Sequence, residues 1–292
     1  MVAALHIVLP NTMSNLEIKP CHFGIVFALG IESGGFEDLL SGAIRIRGSG
    51  FFIKEGGSKG RRVVIIRSGA GRENAARAAE VLIDGHRPKI VVSAGFAGGL
   101  DPSLKRHDIL LADSVIDSSG RQIILGQSHP SPDASKQTQT HDISNEGRPL
   151  QRPLVHSPFD ISKLDWPGLH VGKLMSVDHV VREPPEKHAL HQQYQALAVD
   201  METFAVAEVC RGRGAQLFSV RIIHDAAGDV LPPDVERLLR QKSEPARLGA
   251  ALAAIWRRPA SVKDLWTLKE NSLAASAQLA KFIERLIEQS GA

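Results

Sequence analysis

The sequence predicts an α/β fold: a single domain with a central mixed, mainly parallel twisted sheet flanked by helices. Short apolar runs rich in β-branched residues alternate with helical patterns over most of the chain. Two of these runs end in acidic residues, the first at Asp200-Met201-Glu202 and the second at Asp225. Because α/β sheets bind their ligands beyond the carboxyl ends of the strands, these acids indicate a ligand-binding site.

Composition and charge fit a globular domain and argue against several function classes. The chain has 292 residues, of which 43% are apolar and 23% are charged, so it can bury a core without disulfides. A net charge of +3 and only 5% aromatic residues argue against a nucleic-acid-binding surface. No apolar run is long enough to span a membrane, and no Cys/His spacing is typical of a zinc site. The two cysteines, Cys21 and Cys210, suit a reducing compartment, so we expect a cytoplasmic protein without a metal or cofactor.

The first part of the domain is predicted to alternate strands with one helix. Apolar, β-branched runs indicate the strands, and the helical pattern ends at Gly85, a residue type that often terminates helices. The stretch 43–54 alternates loosely and is predicted as one strand of a hairpin. The predicted strands are 22–29, 43–54, 62–67, 89–94 and 108–116, and the predicted helix is 73–85.

A long polar segment separates the two parts of the domain. Residues 118–166 are rich in Ser, Pro, Gln, His and Asp, which is typical of a loop or functional lid and not of a domain. Regular structure is predicted to resume at 171–181, and Pro184-Pro185 is expected to open a helix. The remaining predicted elements are the helices 184–193 and 203–213 and the strands 196–199 and 218–223.

The C-terminal tail has a helical character. Residues 234–289 are predicted to form two or three helices, which Pro259 interrupts. We expect the tail to pack against the sheet or a neighbouring subunit. The predicted organisation is therefore an N-terminal tail at 1–20, the domain at 21–233, and a helical extension at 234–292.

Five short segments carry a family resemblance when they are taken together. They are Gly24–Ala28 with Glu32 behind it, Arg67–Gly71, Ser93–Leu100, Val199–Glu202 and Val220–Asp225. In this order and at these spacings, they resemble the purine nucleoside phosphorylase / nucleosidase superfamily, and most closely its 5'-methylthioadenosine/S-adenosylhomocysteine nucleosidase branch. The resemblance implies a nucleoside phosphorylase-like fold, a nucleoside substrate whose N-glycosidic bond is cleaved, and a homo-oligomer, either a dimer or a hexamer.

A second set of segments is similar to a different subgroup. Val177–His179, Pro185–Lys187, Leu231–Pro233 and Trp256–Pro259 resemble the hopanoid-associated phosphorylases. That resemblance implies phosphorolysis of adenosylhopane, an adenine nucleoside with a bulky lipid at the 5' position. The identity of the 5' group therefore stays open.

The first resemblance assigns roles to three acidic side chains and one methionine. Asp225 would give or share a proton with purine N7, and Glu32 would position and activate water, the two tasks that an inverting glycosidase divides between carboxyl groups. Burial would raise the pKa values of both carboxyls toward neutrality, as acid–base work requires. Glu202 would accept hydrogen bonds from the ribose 2' and 3' hydroxyls, and Met201 would lie under the ribose as an apolar floor.

The resemblance also implies contacts to the base and to the attacking group. Backbone atoms at Val180 and Val181 would hold the base, with His224 beside it. His224 and Phe96 stand where the nucleosidases usually have serine. Backbone N–H groups of two glycine-rich turns would approach the water or phosphate. Those turn residues are Ser68, Gly69, Gly71, Gly95, Phe96 and Ala97.

Each acid also has a purely structural explanation. Glu32 fits an exposed loop, Glu202 fits an acid that complements a helix dipole, and Asp225 fits a helix N-cap. A non-catalytic nucleoside-binding module is the corresponding alternative to an enzyme, and His224 and Phe96 at serine positions motivate it.

The sequence favours water over phosphate as the attacking group. Phosphorylases of the superfamily carry an arginine at the position of Ser93, and Glu32 would repel a bound phosphate. Phosphorolysis stays open because another arginine, in the same chain or across a subunit interface, would supply the missing charge. The candidates are Arg45, Arg47, Arg67 and Arg72.

Overall fold

The computed structural model describes residues 20–46, 50–126, 159, 163–231 and 259–290. Most of the predicted N-terminal tail, most of the polar segment 118–166, and the segment 232–258 with two of the hopanoid-like motifs lie outside these residues. The strands are β1 Phe23–Phe27, β2 Ser41–Ile46, β3 Phe52–Ser58, β4 Arg61–Arg67, β5 Ile90–Gly99, β6 Ile109–Asp117, β7 Gln122–Ile124, β8 Leu169–Ser176, β9 Ala198–Asp200 and β10 Gln216–Asp225. The helices are α1 Gly30–Glu37, α2 Arg72–His86, α3 Pro184–Tyr194, α4 Thr203–Gly212 and α5 Pro259–Gln289.

All ten strands belong to one mixed sheet. Its order is β10-β6-β8-β9-β5-β1-β4-β3-β2, and β7 pairs with β6. Parallel pairings join β4, β1, β5 and β10. The long strand β5 pairs with β1 and β10 and also, at its end, with β9. Because β10 pairs with β6 as well, the strands β5, β10, β6, β8 and β9 close into a ring at one side of the sheet.

Helices cover both faces of the sheet, which confirms the predicted fold class. One apolar cluster joins α2 and α4 to the first face, with Leu82 and Phe204 among its buried side chains. A second cluster joins α1 and α5 to the opposite face, with Phe36 and Phe282 among its members. The apolar strand runs supply both clusters because successive side chains of a strand point to opposite faces.

The sequence pattern does not predict helix α1. Its eight residues, GIESGGFE, include three glycines, which disfavour a helix in isolation. The structure compensates in two ways. The side chain of Glu32 accepts a hydrogen bond from Leu29 N at 2.7 Å, which closes the helix start. A Cβ on Gly35 would lie 2.8 Å from the carbonyl oxygen of Ser276, so glycine allows α5 to pack closely against α1.

Two strand predictions and one loop prediction also need correction. The predicted strand 43–54 is two strands, β2 and β3, which form an antiparallel hairpin. The predicted strand 89–94 continues through Gly99, so the glycine-rich stretch is strand and not turn. The segment 118–166 contains the short strand β7, which pairs with β6. The hairpins β2–β3 and β6–β7 are local, but the extension of β5 depends on pairing with β9 and β10, which are distant in sequence, and local pattern does not encode that.

The described part of the C-terminal extension begins at Pro259. Pro259 is the first residue of α5, a position that tolerates proline, and the predicted helix before it lies outside the described residues. The described part of the extension is this one 31-residue helix. No helix of the described chain combines the length and the apolar character needed to cross a membrane.

Candidate active site

The candidate site lies at the carboxyl ends of strands on the α1 side of the closed ring. Glu32 follows β1, Gly71 follows β4, Glu202 follows β9, and Asp225 ends β10. The last residues of β5 run between them. The parallel pairing of β1, β4, β5 and β10 brings Glu32, Gly71 and Asp225 to the same edge of the sheet, and the antiparallel pairing of β9 with the end of β5 brings Glu202 there.

Glu32 is buried within α1 and anchored by backbone donors. Its Oε1 accepts a hydrogen bond from Phe96 N at 2.9 Å, and its Oε2 accepts one from Leu29 N at 2.7 Å. Burial raises the pKa of Glu32, while these N–H groups and the nearby Arg221 oppose the rise. The exposed-loop explanation of Glu32 is therefore wrong, because the side chain is only 6% exposed.

A buried ion pair stands behind Glu32. Arg221 Nη2 lies 2.7 Å from Asp200 Oδ2 and also donates to Ser93 Oγ at 2.8 Å and to Thr203 Oγ1 at 2.6 Å. A Cβ on Gly95 would meet Arg221 Nη1 at 2.6 Å and Glu32 Oε1 at 2.8 Å. Arg221 is therefore the cation beside Glu32, and the ion pair ties the end of β9 to β10.

Asp225 ends β10 in a buried position and contacts a lysine. Lys187 Nζ on α3 donates to Asp225 Oδ2 at 2.5 Å. Burial raises the pKa of Asp225, and the positive charge of Lys187 opposes the rise. The N-cap explanation is wrong because no helix begins in the described residues 226–231 that follow Asp225.

Glu202 sits where two helices begin. It occupies the N-cap position of α4, yet its side chain makes no capping bond there. Instead, Glu202 Oε1 accepts a hydrogen bond from Gly71 N at 2.8 Å, at the start of α2. Burial and the neighbouring Asp200 raise the pKa of Glu202 to about 7. The helix-dipole explanation therefore holds in part, because the acid meets the N-termini of both helices. Met201 precedes it and is partly buried.

Val180 and Val181 lie in the loop between β8 and α3. Val181 is buried and packs in an apolar cluster with Met175 and Val199. Among the described residues, no hydrogen bond engages the backbone N–H or carbonyl groups of Val180 and Val181. These groups are therefore free to contact a base, as the family resemblance implies.

His224 points to a different neighbourhood from Asp225. Its ring stacks on Phe96 with centroids 4.9 Å apart, and His224 Nε2 lies 2.9 Å from Ser272 Oγ on α5. Burial lowers the pKa of His224 to about 4, so the ring is neutral near pH 7. Among the described residues, no hydrogen bond joins the side chains of His224 and Asp225. The two residues that replace serines form a stacked pair instead.

The turn after β4 does not offer the N–H groups that the sequence suggested. Ser68 N donates to the carbonyl of Phe27 at 2.8 Å, and Gly69 N donates to that of Ala28 at 2.9 Å. These bonds extend the pairing of β1 and β4 beyond the strands. Neither N–H group is available to water or phosphate, which corrects that expectation.

The other predicted N–H groups position carboxylates. Gly71 N is bound to Glu202, and Phe96 N is bound to Glu32. Gly95 and Ala97 lie within β5 and pair with β10. The glycine-rich segments therefore hold the acids in place and do not themselves form an anion site.

The arginines proposed as phosphate ligands are engaged elsewhere. Arg67 binds Glu37, Arg72 pairs with Asp178 at 3.2 Å, and Arg45 lies over the ring of Phe52. Arg47 lies outside the described residues. The buried arginine next to Glu32 is Arg221, which sequence analysis did not single out. The charged residue inside the otherwise apolar strand FSVRIIHD was the available indication in the sequence.

Among the described residues, no group of three or more His, Cys, Asp or Glu side chains could hold a metal ion.

We expect Gly95→Ala to impair activity strongly and also to lower stability, because it crowds the buried Arg221–Asp200 pair. The new methyl group would force Arg221 and Glu32 apart, and a misplacement of about 1 Å can cost on the order of 10²-fold in rate. Gly85→Ala is the matched control, because nothing lies within 4 Å of its Cβ position in α2. That control should keep full activity and gain up to about 1 kcal/mol of stability. Steady-state rates and melting temperatures of both variants test this, and equal rates would contradict it.

Known proteins are similar to this chain in sequence and in fold. The model of the Phosphorylase superfamily matches residues 23–255. The 5'-methylthioadenosine/S-adenosylhomocysteine nucleosidase of Marinomonas sp. is 29% identical over 208 residues, which cover 70% of this chain and 84% of that protein. The enzyme of the same name from Staphylococcus aureus is 27% identical over 188 residues, covering 63% and 77%.

Solved structures of such nucleosidases have the same fold. The Helicobacter pylori nucleosidase, complexed with a pyrrolidine inhibitor, aligns with a TM-score of 0.63 at 18% identity and covers 92% of this chain and 99% of its own. The Neisseria meningitidis nucleosidase, in complex with methylthio-immucillin-A, aligns with a TM-score of 0.61 at 17% identity and covers 91% and 98%. Because the family model matches most of its length, this chain belongs to the Phosphorylase superfamily.

Proposed function

We propose that this protein is a nucleosidase that hydrolyses the N-glycosidic bond of a 5'-substituted adenine nucleoside and releases adenine. The observation that carries the proposal is the set of three carboxyl groups, Glu32, Glu202 and Asp225, which distant segments bring to one edge of the sheet. The names of the relatives, which are 5'-methylthioadenosine/S-adenosylhomocysteine nucleosidases, support the same substrate class.

Glu32 is the group that activates water. Its raised pKa makes it a better proton acceptor than an exposed glutamate, and its two N–H partners fix the orientation of the carboxylate. Arg221 Nη1 and Glu32 Oε1 both border the position that a Cβ on Gly95 would take, so they lie beside each other. Arg221 would orient the oxygen of the water that Glu32 activates. Water that loses a proton to Glu32 would attack C1' of the ribose.

Asp225 acts on the leaving purine. Burial raises its pKa, so the carboxyl group can carry a proton nearer neutrality than an exposed aspartate. Donation of that proton to N7 neutralises the charge that the purine gains when the C1'–N9 bond breaks. Glycines leave room for both carboxyl groups, since Cβ positions on Gly95 and Gly98 approach Glu32 and Asp225 respectively. These glycines are three residues apart on β5, or about 10 Å in an extended strand.

Glu202 and Met201 bind the ribose. An ionised Glu202 accepts hydrogen bonds from two ribose hydroxyls and stabilises the positive charge that develops on the ring. The bond from Gly71 N already fixes Oε1. Met201 supplies a polarisable apolar surface beside it.

The charge balance favours water over phosphate. Arg221 is the one specific observation in favour of phosphorolysis, because a buried guanidinium beside the site suits an anion. However, Arg221 is already paired with Asp200 and faces Glu32, so the three charges sum to one negative charge. A phosphate dianion would be repelled from such a site.

A product assay tests the proposal. Purified protein is incubated with adenosine, inosine, methylthioadenosine and adenosylhomocysteine, each with and without phosphate, and the released base is measured. Release of adenine without phosphate from the 5'-substituted nucleosides is the expected result. A strict need for phosphate would instead establish phosphorolysis, the reaction that the hopanoid-like segments imply. Tight binding without any base release would establish a binding module.

We also infer that the protein forms a homo-oligomer. Ile31, Leu39 and Ile44 are exposed large apolar side chains on α1, the turn after it, and β2. All three lie in the chain segment 31–44, and the homo-oligomer that the family resemblance implies would cover them. Light scattering should give a mass that is a multiple of 31.6 kDa, and a monomer at micromolar concentration would contradict the inference.

We expect nucleoside binding to weaken as the pH falls below about 7, because protonation of Glu202 removes the charged acceptor for the ribose hydroxyls. Calorimetry of a non-hydrolysable adenosine analogue against pH measures this, and Glu202→Gln should remove this component of the pH dependence. An analogue without the 2'-hydroxyl serves as the ligand control and should bind with less pH dependence. Identical pH dependence in the wild type and in Glu202→Gln would contradict the role.

A further inference from the structure

Lys187 is a fully buried lysine whose ammonium group has three oxygen partners. Its Nζ donates to Asp225 Oδ2 at 2.5 Å, to the carbonyl of Ala226 at 2.8 Å and to that of Asp229 at 3.0 Å. A lysine has three N–H donors, and all three are used. The contacts hold the ammonium group rigidly against the end of β10.

Packing of α3 does not explain this lysine. Lys187 is the only fully buried residue of α3, at 0% exposed, whereas Leu190 and Tyr194 are partly buried against a separate apolar cluster. Burying an ammonium group costs several kcal/mol unless its partners are well placed, and an apolar residue of similar length would fill the same space without that cost. The position therefore selects for a cation at Asp225.

The two oxygens of Asp225 have different surroundings. Lys187 occupies Oδ2, whereas no described residue donates a hydrogen bond to Oδ1. A Cβ on Gly98 would lie 3.1 Å from Oδ2 and 3.5 Å from Oδ1, so glycine opens the space beside the carboxyl group. The free oxygen is the one that can reach a ligand.

We propose that Lys187 is a positioning residue for Asp225: it fixes Oδ2, leaves Oδ1 as the oxygen that gives its proton to the purine, and stabilises the carboxylate that remains. This inference rests on the proposed nucleosidase function and deepens it. In the step, the proton moves from Asp225 Oδ1 to N7 while the C1'–N9 bond breaks and its electron pair stays with the purine. Water bonds to C1' and gives a proton to Glu32. Solvent then returns that proton from Glu32 to Asp225, so the cycle closes.

Other charges near Asp225 modulate this pair without replacing Lys187. Asp229 lies in the loop after β10, and its charge opposes that of Lys187 at Asp225. Arg106, in the loop before β6, is paired with Asp229 at 2.8 Å. His224 precedes Asp225 and is neutral near pH 7. Lys187 is thus the one cation in hydrogen-bond contact with Asp225 among the described residues.

Kinetics of Lys187→Met test the proposal. Without the cation, the carboxylate left after proton transfer is less stable, so kcat should fall on the order of 10²-fold. Asp225 would also hold its proton more tightly, so the loss of activity at high pH should move upward by about 1 pH unit or more. Lys173→Met is the matched control, because Lys173 donates to the carbonyl of Tyr194 and does not contact Asp225. The control should keep both kcat and the pH profile. An unshifted profile in Lys187→Met would overturn the proposal.

A double variant separates positioning from general structural damage. If Lys187 acts through Asp225, then Lys187→Met should reduce the residual rate of Asp225→Asn by less than about 3-fold, since coupled residues are non-additive. A further 10²-fold loss in that background would overturn the proposal.

A measurement on the wild-type protein covers the case in which Lys187→Met does not fold. The ¹⁵N shift of Lys187 Nζ should change with pH along the same curve as the high-pH loss of activity, because both report Asp225. A ¹⁵N chemical shift that stays constant over the pH range in which activity is lost would overturn the proposal. Failure of the nucleosidase function is distinguishable, because then the wild type itself releases no base from any nucleoside.

Discussion

Replacing Glu32 with glutamine should lower kcat/KM by on the order of 10³-fold and leave the protein folded. The amide cannot accept the proton of the attacking water. Glutamine has nearly the same size and keeps one oxygen to accept from Leu29 N or Phe96 N. Since burial penalises the charged form of Glu32, the neutral amide relieves part of that cost. We therefore expect a melting temperature within a few degrees of the wild type.

Glu37→Gln is the control for this substitution. Glu37 lies on the same helix, is equally buried at 6%, and binds Arg67 and Lys54 outside the candidate site. Its loss should lower stability and change turnover by only a few fold. Base release and thermal unfolding of both variants decide the matter. If the two variants lose activity equally, then Glu32 has a structural role and the proposed mechanism is wrong.

The strands of the inner sheet were predictable because burial on both faces leaves a continuous apolar run. The runs that became β1, β4 and β6 show this pattern, and so does the first half of β5. The second half of β5 did not, because glycines replace side chains where Glu32, Arg221 and Asp225 approach the strand. The glycines that make this half of β5 hard to recognise as a strand also create the space for the site.

Helix α1 shows where local propensity fails. Three glycines in eight residues predict a loop, yet Gly35 lets α5 approach from 241 positions away along the chain. Contacts of that separation are set by the tertiary fold, so propensity alone places Glu32 in a loop and underestimates its burial.

The carboxyl groups were predictable and their partners were not. Glu202 and Asp225 follow apolar runs, which marks them as lying at a sheet edge. Lys187 sits in the polar sequence PPEKHALHQQY, where nothing distinguishes a buried lysine from an exposed one. Only the packing of α3 against the end of β10 brings it to Asp225.

Removing the buried cation in Arg221→Met should cost about 3–5 kcal/mol of unfolding free energy, the usual cost of leaving a buried partner charge unpaired. Asp200 would lose its ion pair, and the hydroxyl oxygens of Ser93 and Thr203 would lose a donor. Arg213→Met removes a surface pair of the same kind, in which Arg213 contacts Asp84 at 2.9 Å. That control should cost no more than about 1 kcal/mol.

Denaturant unfolding with an unchanged m value measures both costs. Adding Asp200→Asn to Arg221→Met should recover part of the loss, because the double variant no longer buries an unpaired charge. Activity gives a second readout. Arg221 lowers the pKa of Glu32, so its removal should move the low-pH loss of activity toward higher pH. If Arg221→Met costs no more than Arg213→Met and leaves the pH profile unchanged, then strand pairing alone holds β9 against β5 and β8, and the ion pair neither stabilises the site nor changes its pH dependence. If Arg221→Met both lowers stability and shifts the pH profile, then the same buried arginine stabilises the closed ring of strands and sets the pKa of Glu32, the group that activates water.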